Sequence, residues 1–373
     1  MATTASIQAS TDSIVMLKRA SARIINFSSL KGGVGKSTAA GQIAAALAQL
    51  GRRVLLVDAD STCSASHLCG YENTGELADT IAAVLMGEQS LEEVVQPILP
   101  QFDLLRGTTS LRKLESLTGI KNPAIAMPDG RLSDLALRLA LEPATSRYDY
   151  ILIDCAGGHP KIMRMALLAA DEVIMPTGMS LVDLNAAATT LELIAQAQEL
   201  RQESGRPSFL GFLPNATGKA GVPAKLKELL DGLGYPCFSP IRASAVLRTI
   251  SGAAKVERRF ITRARPNHPT AQSFLKVARE IVCGIDAVAA GDASDTIDTG
   301  LGLPPEVSAR DRVPPRVQSE EPIVRLLNAQ AEVAPAREVP AVAGAIAVRA
   351  GPDGRRPQSE AEFTKDSPAA EVS

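Results

Sequence analysis

The sequence is poor in aromatic residues, histidine and cysteine, and these shortages exclude several classes of protein. Among 373 residues there is no tryptophan, and only 3 are histidine and 5 are cysteine. An odd number of scattered cysteines fits reduced thiols better than a disulfide framework. No apolar run reaches the roughly 18 residues of a transmembrane helix, and the N-terminal stretch lacks the basic start and apolar core of a secretory signal. We therefore expect a cytoplasmic protein without a membrane partner.

A strong net charge is also missing, but one segment is locally basic. Lysine and arginine (39) nearly balance aspartate and glutamate (41), which leaves a formal net charge of −2. Between Arg242 and Arg279, nine basic residues stand against the single acid Glu257. Such clusters bind nucleic-acid phosphates without reading sequence, and salt weakens them steeply. A plain solvated basic face is the alternative. The candidate DNA-binding residues are Arg242, Arg248, Lys255, Arg258 and Arg259.

Composition divides the chain into three regions. Residues 1–22 predict a disordered leader, and residues 291–373, rich in proline, alanine and acids, predict a mostly disordered tail. Between them, residues 23–290 alternate apolar β-like runs with helical stretches. This alternation predicts an α/β domain with a single doubly wound, mostly parallel sheet flanked by helices. The predicted strands lie at 23–29, 53–58, 102–105, 150–154, 172–175 and 208–213, and the predicted helices at 39–50, 91–95, 132–141, 181–201 and 222–230.

A glycine-rich turn between the first strand and first helix is the most informative segment. It reads Lys31-Gly32-Gly33-Val34-Gly35-Lys36-Ser37-Thr38. Such a turn directs backbone N–H groups and a helix N-terminus at a phosphate chain. Lys36 is expected to reach the β- and γ-phosphates, and the Ser37 hydroxyl to bind Mg²⁺. Leu30 occupies the position of the first glycine of the general pattern, and Lys31 adds a second cation.

Two further predicted strands end in acidic residues. The run RVLLVDAD ends in Asp58 and Asp60, and the run YILID ends in Asp154. Ligands of parallel sheets bind at the carboxyl ends of the strands, so these acids are expected near the glycine-rich turn. Asp154 has the form of a Walker B aspartate, which holds Mg²⁺ through water. The glycines after it suit a loop that senses the terminal phosphate.

The motifs KGGVGKST, VDAD and YDYILIDCAGG together resemble the ParA/MinD family of deviant Walker A ATPases, over roughly residues 23–285. The resemblance implies that Lys31 reaches the partner's phosphates in an ATP-bound homodimer. It implies that Asp60 positions the attacking water and that Asp58 belongs to the switch, as does Asp154. The nucleotide-binding set that it implies comprises Lys31, Gly32, Gly33, Val34, Gly35, Lys36, Ser37, Thr38 and, as an adenine contact, Asn215.

The resemblance breaks down at both switch loops. The family usually has Pro-Gln after the second acid, where this chain has Ser61-Thr62. The Asp-x-Pro-Pro of the second switch is replaced by Asp154-Cys155-Ala156-Gly157. Both changes bear on the rate of hydrolysis more than on the binding of ATP.

The resemblance implies an ATPase that segregates plasmid or chromosomal DNA, is associated with the nucleoid, binds nonspecific double-stranded DNA and works with a ParB-like adaptor. Two related functions stay open: positioning of a protein assembly, and MinD-like positioning at a membrane. The second needs a basic amphipathic C-terminal helix, and the final segment EAEFTKDSPAAEVS is acidic. A metabolic enzyme of the iron–sulfur type would need a Cys-x-x-Cys pair, which the sequence lacks.

Overall fold

The structure, a computed structural model, describes residues 21–72, 75–116, 120–155, 157–178, 180–201, 206–218 and 221–284. Of the predicted leader only Ser21 and Ala22 are described, and the predicted tail lies outside the described residues. Within them the predicted α/β fold is confirmed: a seven-stranded sheet has the order β3-β4-β2-β5-β1-β6-β7. The strands are β1 Arg23–Phe27, β2 Val54–Ala59, β3 Gln96–Leu99, β4 Phe102–Leu105, β5 Tyr150–Cys155, β6 Glu172–Thr177 and β7 Ser208–Pro214.

The edge strand β3 is the one strand of the sheet that the sequence did not predict. It pairs antiparallel with β4, whereas the other neighbours in the sheet are parallel. Its sequence QPIL is short, contains Pro97 and is only partly buried. It therefore lacks the apolar run by which the buried strands are recognised.

Helices cover both faces of the sheet. They are α1 Lys36–Gln49, α2 Ser64–Leu68, α3 Ile81–Met86, α4 Leu91–Val94, α5 Ala136–Leu141, α6 Pro160–Ala169, α7 Leu181–Arg201, α8 Ala224–Gly232, α9 Ala245–Ser251, α10 Ile261–Ala264 and α11 Pro269–Cys283, with 3-10 helices at Thr109–Ser116, Glu142–Ser146 and Val256–Arg259. The predicted helix 132–141 was wrong in its first turn, because Leu132 forms a bridge with Ala126 around a tight turn. None of the described helices is long and apolar enough to cross a membrane.

The pleat of the central strands determines which side chains face α1. Leu56 of β2 and Leu152 of β5 belong to the same buried cluster as the inner face of α1. Their neighbours along each strand belong to the cluster on the opposite face of the sheet. Alternate residues of a strand share a face, so Asp58 and Asp154, two positions further on, also lie on the α1 side. Since α1 begins at the glycine-rich turn, both acids lie close to that turn.

Candidate nucleotide-binding site

The glycine-rich turn is shaped by backbone conformations that favour glycine. Gly33 and Gly35 have φ angles of 76° and 81°, in the left-handed region that other residues rarely adopt. A Cβ on Gly35 would also lie 2.3 Å from Nδ2 of Asn215. Asn215 donates from Nδ2 to the carbonyl oxygen of Val34 at 2.8 Å. In this structure Asn215 therefore stabilises the conformation of the turn. Its predicted contact with adenine remains a prediction.

The first turn of α1 is open to an anion. Its N-cap is Gly35, which offers no side-chain hydrogen bond to the N–H groups, and the turn contains no acidic residue. Uncapped N–H groups and the positive end of the helix dipole attract phosphate. Lys36, 9% exposed, donates from Nζ to the carbonyl oxygen of Lys31 at 3.3 Å. The predicted phosphate ligands from Gly32 to Thr38 are thus gathered at one end of the sheet.

Two buried acids lie side by side next to this turn. Asp58 and Asp154 are register partners on the neighbouring strands β2 and β5, and both are 0% exposed. Oδ2 of Asp58 accepts from N and Oγ of Ser66, both at 2.7 Å. Neither carboxylate oxygen of Asp154 has a hydrogen-bond partner among the described residues. A buried carboxyl whose oxygens lack a hydrogen-bond partner, although Ser37 and Lys36 lie near enough to lower its pKa, fits a site for a cation.

The acid pair is held at unusually high pKa values. Burial raises the pKa of Asp58 to about 6, although its hydrogen bonds with Ser66 oppose the rise. Burial, and next the charge of Asp58, raises the pKa of Asp154 well above its usual range, while Ser37 and Lys36 lower it. Mg²⁺ takes few protein ligands and keeps several waters. The orphaned oxygens of Asp154 and the nearby Ser37 hydroxyl, the two predicted metal ligands, fit that requirement.

We expect Asp154→Asn to stabilise the nucleotide-free protein at pH 8 and to have little effect near pH 4. A carboxyl whose pKa is raised by folding contributes stability below its unfolded pKa, and that contribution is lost as pH rises through the folded pKa. Each pKa unit of that rise is worth about 1.4 kcal/mol, so the melting temperature at pH 8 should rise by roughly 3–6 °C for every unit in a domain of this size. Thermal melts of wild type, Asp154→Asn and the exposed control Asp79→Asn from pH 4 to 8 measure this. A variant less stable than wild type at every pH would contradict it.

Lys31 is paired within its own chain. Its Nζ forms an ion pair with Asp183 in the first turn of α7. Asp183 also accepts from N and Oγ of Ser180, at 2.7 and 2.5 Å. Burial alone would raise the pKa of Asp183, but Lys31 and Ser180 together lower it. Sequence reasoning missed Asp183, because an acid in the first turn of a helix is common for reasons of the helix dipole alone.

Asp60 directly follows the end of β2 and begins the first switch loop. Its backbone N–H donates to Oδ1 of Asp58 at 3.2 Å, and its own Oδ1 accepts from the backbone N–H of Thr62 at 2.8 Å. Unlike Asp58 and Asp154, Asp60 is only partly buried. The predicted water-positioning acid is therefore the solvent-accessible member of the three.

The second switch loop lies against the two residues that precede the glycine-rich turn. A Cβ on Gly157 would lie 2.5 Å from the carbonyl oxygen of Ser29 and 3.2 Å from that of Leu30. Only glycine allows this approach of two backbones. Its neighbour Ala156 lies outside the described residues.

The structure divides the five predicted DNA-binding residues into two groups. Arg242, Arg248, Lys255 and Arg258 are exposed. Arg259 is partly buried and donates to two backbone carbonyl oxygens, those of Ala253 and His67, each at 2.7 Å. Four of the five side chains are therefore available to a phosphate backbone, and the fifth is engaged inside the protein.

The parallel sheet, the glycine-rich turn before α1 and the two acids at the ends of β2 and β5 define a phosphate-loop nucleotide-binding protein of the α/β class. Comparisons with known proteins agree: the profile of an AAA domain family matches residues 22–204. The chain belongs to the ParA/MinD family of ATPases.

The first of two relatives carries this assignment, and a solved structure shows the same fold. The chain is 31% identical to a ParA family protein of Chlamydia trachomatis over 267 residues, which is 70% of this chain and 97% of that protein. It is 34% identical to the chromosome partitioning protein ParA of Myxococcus xanthus over 183 residues, covering 47% of this chain but only 59% of that protein. The septum site-determining protein MinD of Pyrococcus horikoshii, solved with Mg-ADP, has the same fold at 24% identity, with a TM-score of 0.53 over 73% of this chain and 99% of that one.

Proposed function

We propose that this protein is an ATPase that dimerises around ATP, binds double-stranded DNA nonspecifically in that state, and segregates plasmid or chromosomal DNA with a ParB-like adaptor. The observation that carries the proposal is the second lysine of the glycine-rich turn. Lys36 is the usual phosphate ligand of such a turn, whereas Lys31 is a second cation whose side chain is 35% exposed, and the proposal assigns it to the phosphates of a facing subunit. Family membership supports the ATPase reaction and the binding of Mg²⁺ and nucleotide.

In the proposed mechanism the chain mainly positions and neutralises charge. The N–H groups of the turn and Lys36 bind the phosphates, and Asn215 keeps the turn in shape. Ser37 and Asp154 would hold Mg²⁺, which neutralises phosphate charge when bound. The Asp60 carboxylate orients a water molecule in line with the terminal phosphate. Lys31, once released from Asp183, stabilises the charge that develops on the partner's phosphates.

DNA binding in this proposal rests on the exposed basic residues. Arg242, Arg248, Lys255 and Arg258 precede α10 without an exposed acid among them other than Glu257. Contacts of this kind are made with phosphates and carry no sequence information. Association with the nucleoid in the cytoplasm follows from this DNA binding.

A member of the family that positions a protein assembly would have the same ATPase domain and would differ in the adaptor protein that it binds.

We expect DNA binding that depends on ATP and falls steeply with salt. Each phosphate contact contributes about 0.9 to the slope of log affinity against log salt concentration, so Arg258→Ala should reduce that slope by about 1. The matched control is Lys121→Ala, which removes an exposed cation paired with Glu88. Fluorescence anisotropy with an arbitrary duplex, from 50 to 300 mM salt, with ATP, with ADP and without nucleotide, measures this.

The same titration distinguishes the alternatives. Equal DNA affinity with and without ATP, or no binding at any salt concentration, would rule out the proposed function. Binding of anionic vesicles in place of DNA would favour membrane positioning, and ATP-dependent dimers that bind neither would favour positioning of a protein assembly.

A further inference from the structure

Arg259 connects the basic segment to the first switch helix. Its Nη1 donates to the carbonyl oxygen of His67, in the last turn of α2, at 2.7 Å. Its Nε donates at the same distance to Ala253, within the basic segment itself. Beside it, Val256 packs so closely on Gly70 that a Cβ there would lie 2.7 Å from Cγ2 of Val256. The guanidinium therefore joins two segments almost 200 positions apart in the sequence.

The backbone at Arg259 is fixed to the helix that follows the glycine-rich turn. Gln42, on α1 and 1% exposed, donates from Nε2 to the carbonyl oxygen of Arg259 at 2.9 Å. Its Oε1 accepts from the backbone N–H of Ile261 at 2.8 Å. A buried amide with both groups paired holds its partners in one geometry. The basic segment is thus anchored on α1, and the side chain of Arg259 extends from that anchor to α2.

The helix α2 is in turn attached to the acid pair. Its Ser66 donates twice to Asp58, as described above, and its Oγ accepts from the backbone N–H of Gly107 at 2.9 Å. The loop that leads into α2 starts at Asp60. A cation or phosphate that changes the charge around Asp58 would therefore act on α2 through the two 2.7 Å hydrogen bonds with Ser66, and one that changes the charge around Asp60 would act through the loop that leads into α2.

We infer that Arg259 is a positioning residue that couples the nucleotide site to the DNA-binding surface, and that it does not contact DNA. When α2 shifts with the state of the nucleotide, the bond to His67 carries the shift to the residues that present Arg248, Lys255 and Arg258. This inference rests on the proposed function, because it explains how ATP would control DNA affinity. It assigns Arg259 a role different from that of its neighbour Arg258, although both are arginines in one basic run.

Hydrogen exchange on the full chain tests the coupling without DNA. Exchange is compared between the nucleotide-free protein and the protein with Mg²⁺ and a slowly hydrolysed ATP analogue. We expect the amides of residues 61–70 and of 245–259 in wild type to change their exchange rates at least threefold. In Arg259→Gln the change in 61–70 should persist and the change in 245–259 should disappear. The matched control, Arg258→Gln, should keep both changes.

The response of residues 61–70 shows in every variant that the nucleotide site is folded. If Arg259→Gln fails to fold, Arg259→Lys takes its place, since it keeps the charge and one of the two hydrogen bonds; it should lose at least half of the response in 245–259. An unchanged response in that segment would overturn the inference, as would a wild type in which 61–70 respond and 245–259 do not. A wild type in which neither segment responds would overturn the proposed function together with the inference.

DNA titration supplies a second readout. Arg258→Gln should reduce the salt slope by about 1, and Arg259→Gln should leave the slope unchanged while reducing the ratio of DNA affinities with and without ATP towards one. A slope reduced equally by both variants would make Arg259 a phosphate contact and overturn the inference.

Discussion

Replacing Lys31 with alanine should abolish ATP-dependent dimerisation and reduce ATP hydrolysis by roughly 10²–10³-fold, the cost of removing one hydrogen-bond donor directed at the charge that develops in the transition state. ATP binding by the single subunit should change less than threefold. The reason is that the two lysines have different environments. Lys36 is almost buried and donates to the backbone of the turn, whereas Lys31 is partly exposed and forms an ion pair with Asp183.

Light scattering after gel filtration with Mg-ATP, together with phosphate release, measures both effects. Lys36→Ala is the contrasting variant, because it should lose ATP binding itself. Asp183→Asn removes the charge that holds Lys31 in its own chain and should shift the dimer equilibrium towards association. A Lys31→Ala protein that still dimerises with ATP would show that the second lysine has no part in assembly.

Replacing Asp60 with alanine should separate hydrolysis from assembly. We expect the turnover rate to fall by roughly 10²–10⁴-fold, the usual contribution of a positioned acid–base group, while the ATP-bound dimer and its DNA binding persist. Of the three acids at this end of the sheet, Asp58 accepts hydrogen bonds from Ser66, and Asp154 is buried beside Ser37. Asp60 is the one of the three whose side chain is partly exposed to solvent, as an acid that orients the attacking water must be.

The measurement is phosphate release at saturating ATP, combined with the lifetime of the DNA complex after ATP is withdrawn. Asp129→Ala, which changes an exposed carboxylate paired with Arg131, is the control. The expected Asp60→Ala complex outlives the wild-type complex at least tenfold. A variant that hydrolyses ATP at the wild-type rate would move the catalytic role to another residue.

Much of the fold follows from the sequence, because its strongest signals are local. The buried strands β2 and β5 read as continuous apolar runs, since both of their faces are covered. The turn before α1 is recognised from its glycines, from Lys36 and Ser37 and from its place between an apolar strand and a helix. The edge strand β3 is only partly buried, and Leu132 is buried in a bridge with Ala126 where a helix was predicted, so tertiary contacts decided the structure in both places.

The site is predicted less completely, because several of its contacts join residues far apart in the chain. Asn215 braces a turn 181 positions away, Lys31 pairs with Asp183, 152 positions away, and Arg259 reaches His67, 192 positions away. Each of these side chains is ordinary in its own segment. Their roles arise only when the sheet order β2-β5-β1-β6-β7 brings the strand ends together.

The close approach of Gly157 to Ser29 and Leu30 bears on how the altered second switch loop differs from that of the family. The proline that the family usually carries at this position would not fit, because its Cβ would overlap a backbone oxygen. In this chain the clearance between the two loops is set by main-chain atoms alone and is narrower than a side chain would permit. The substitution therefore changes the spacing between the two loops of this chain, and does not only remove a side chain.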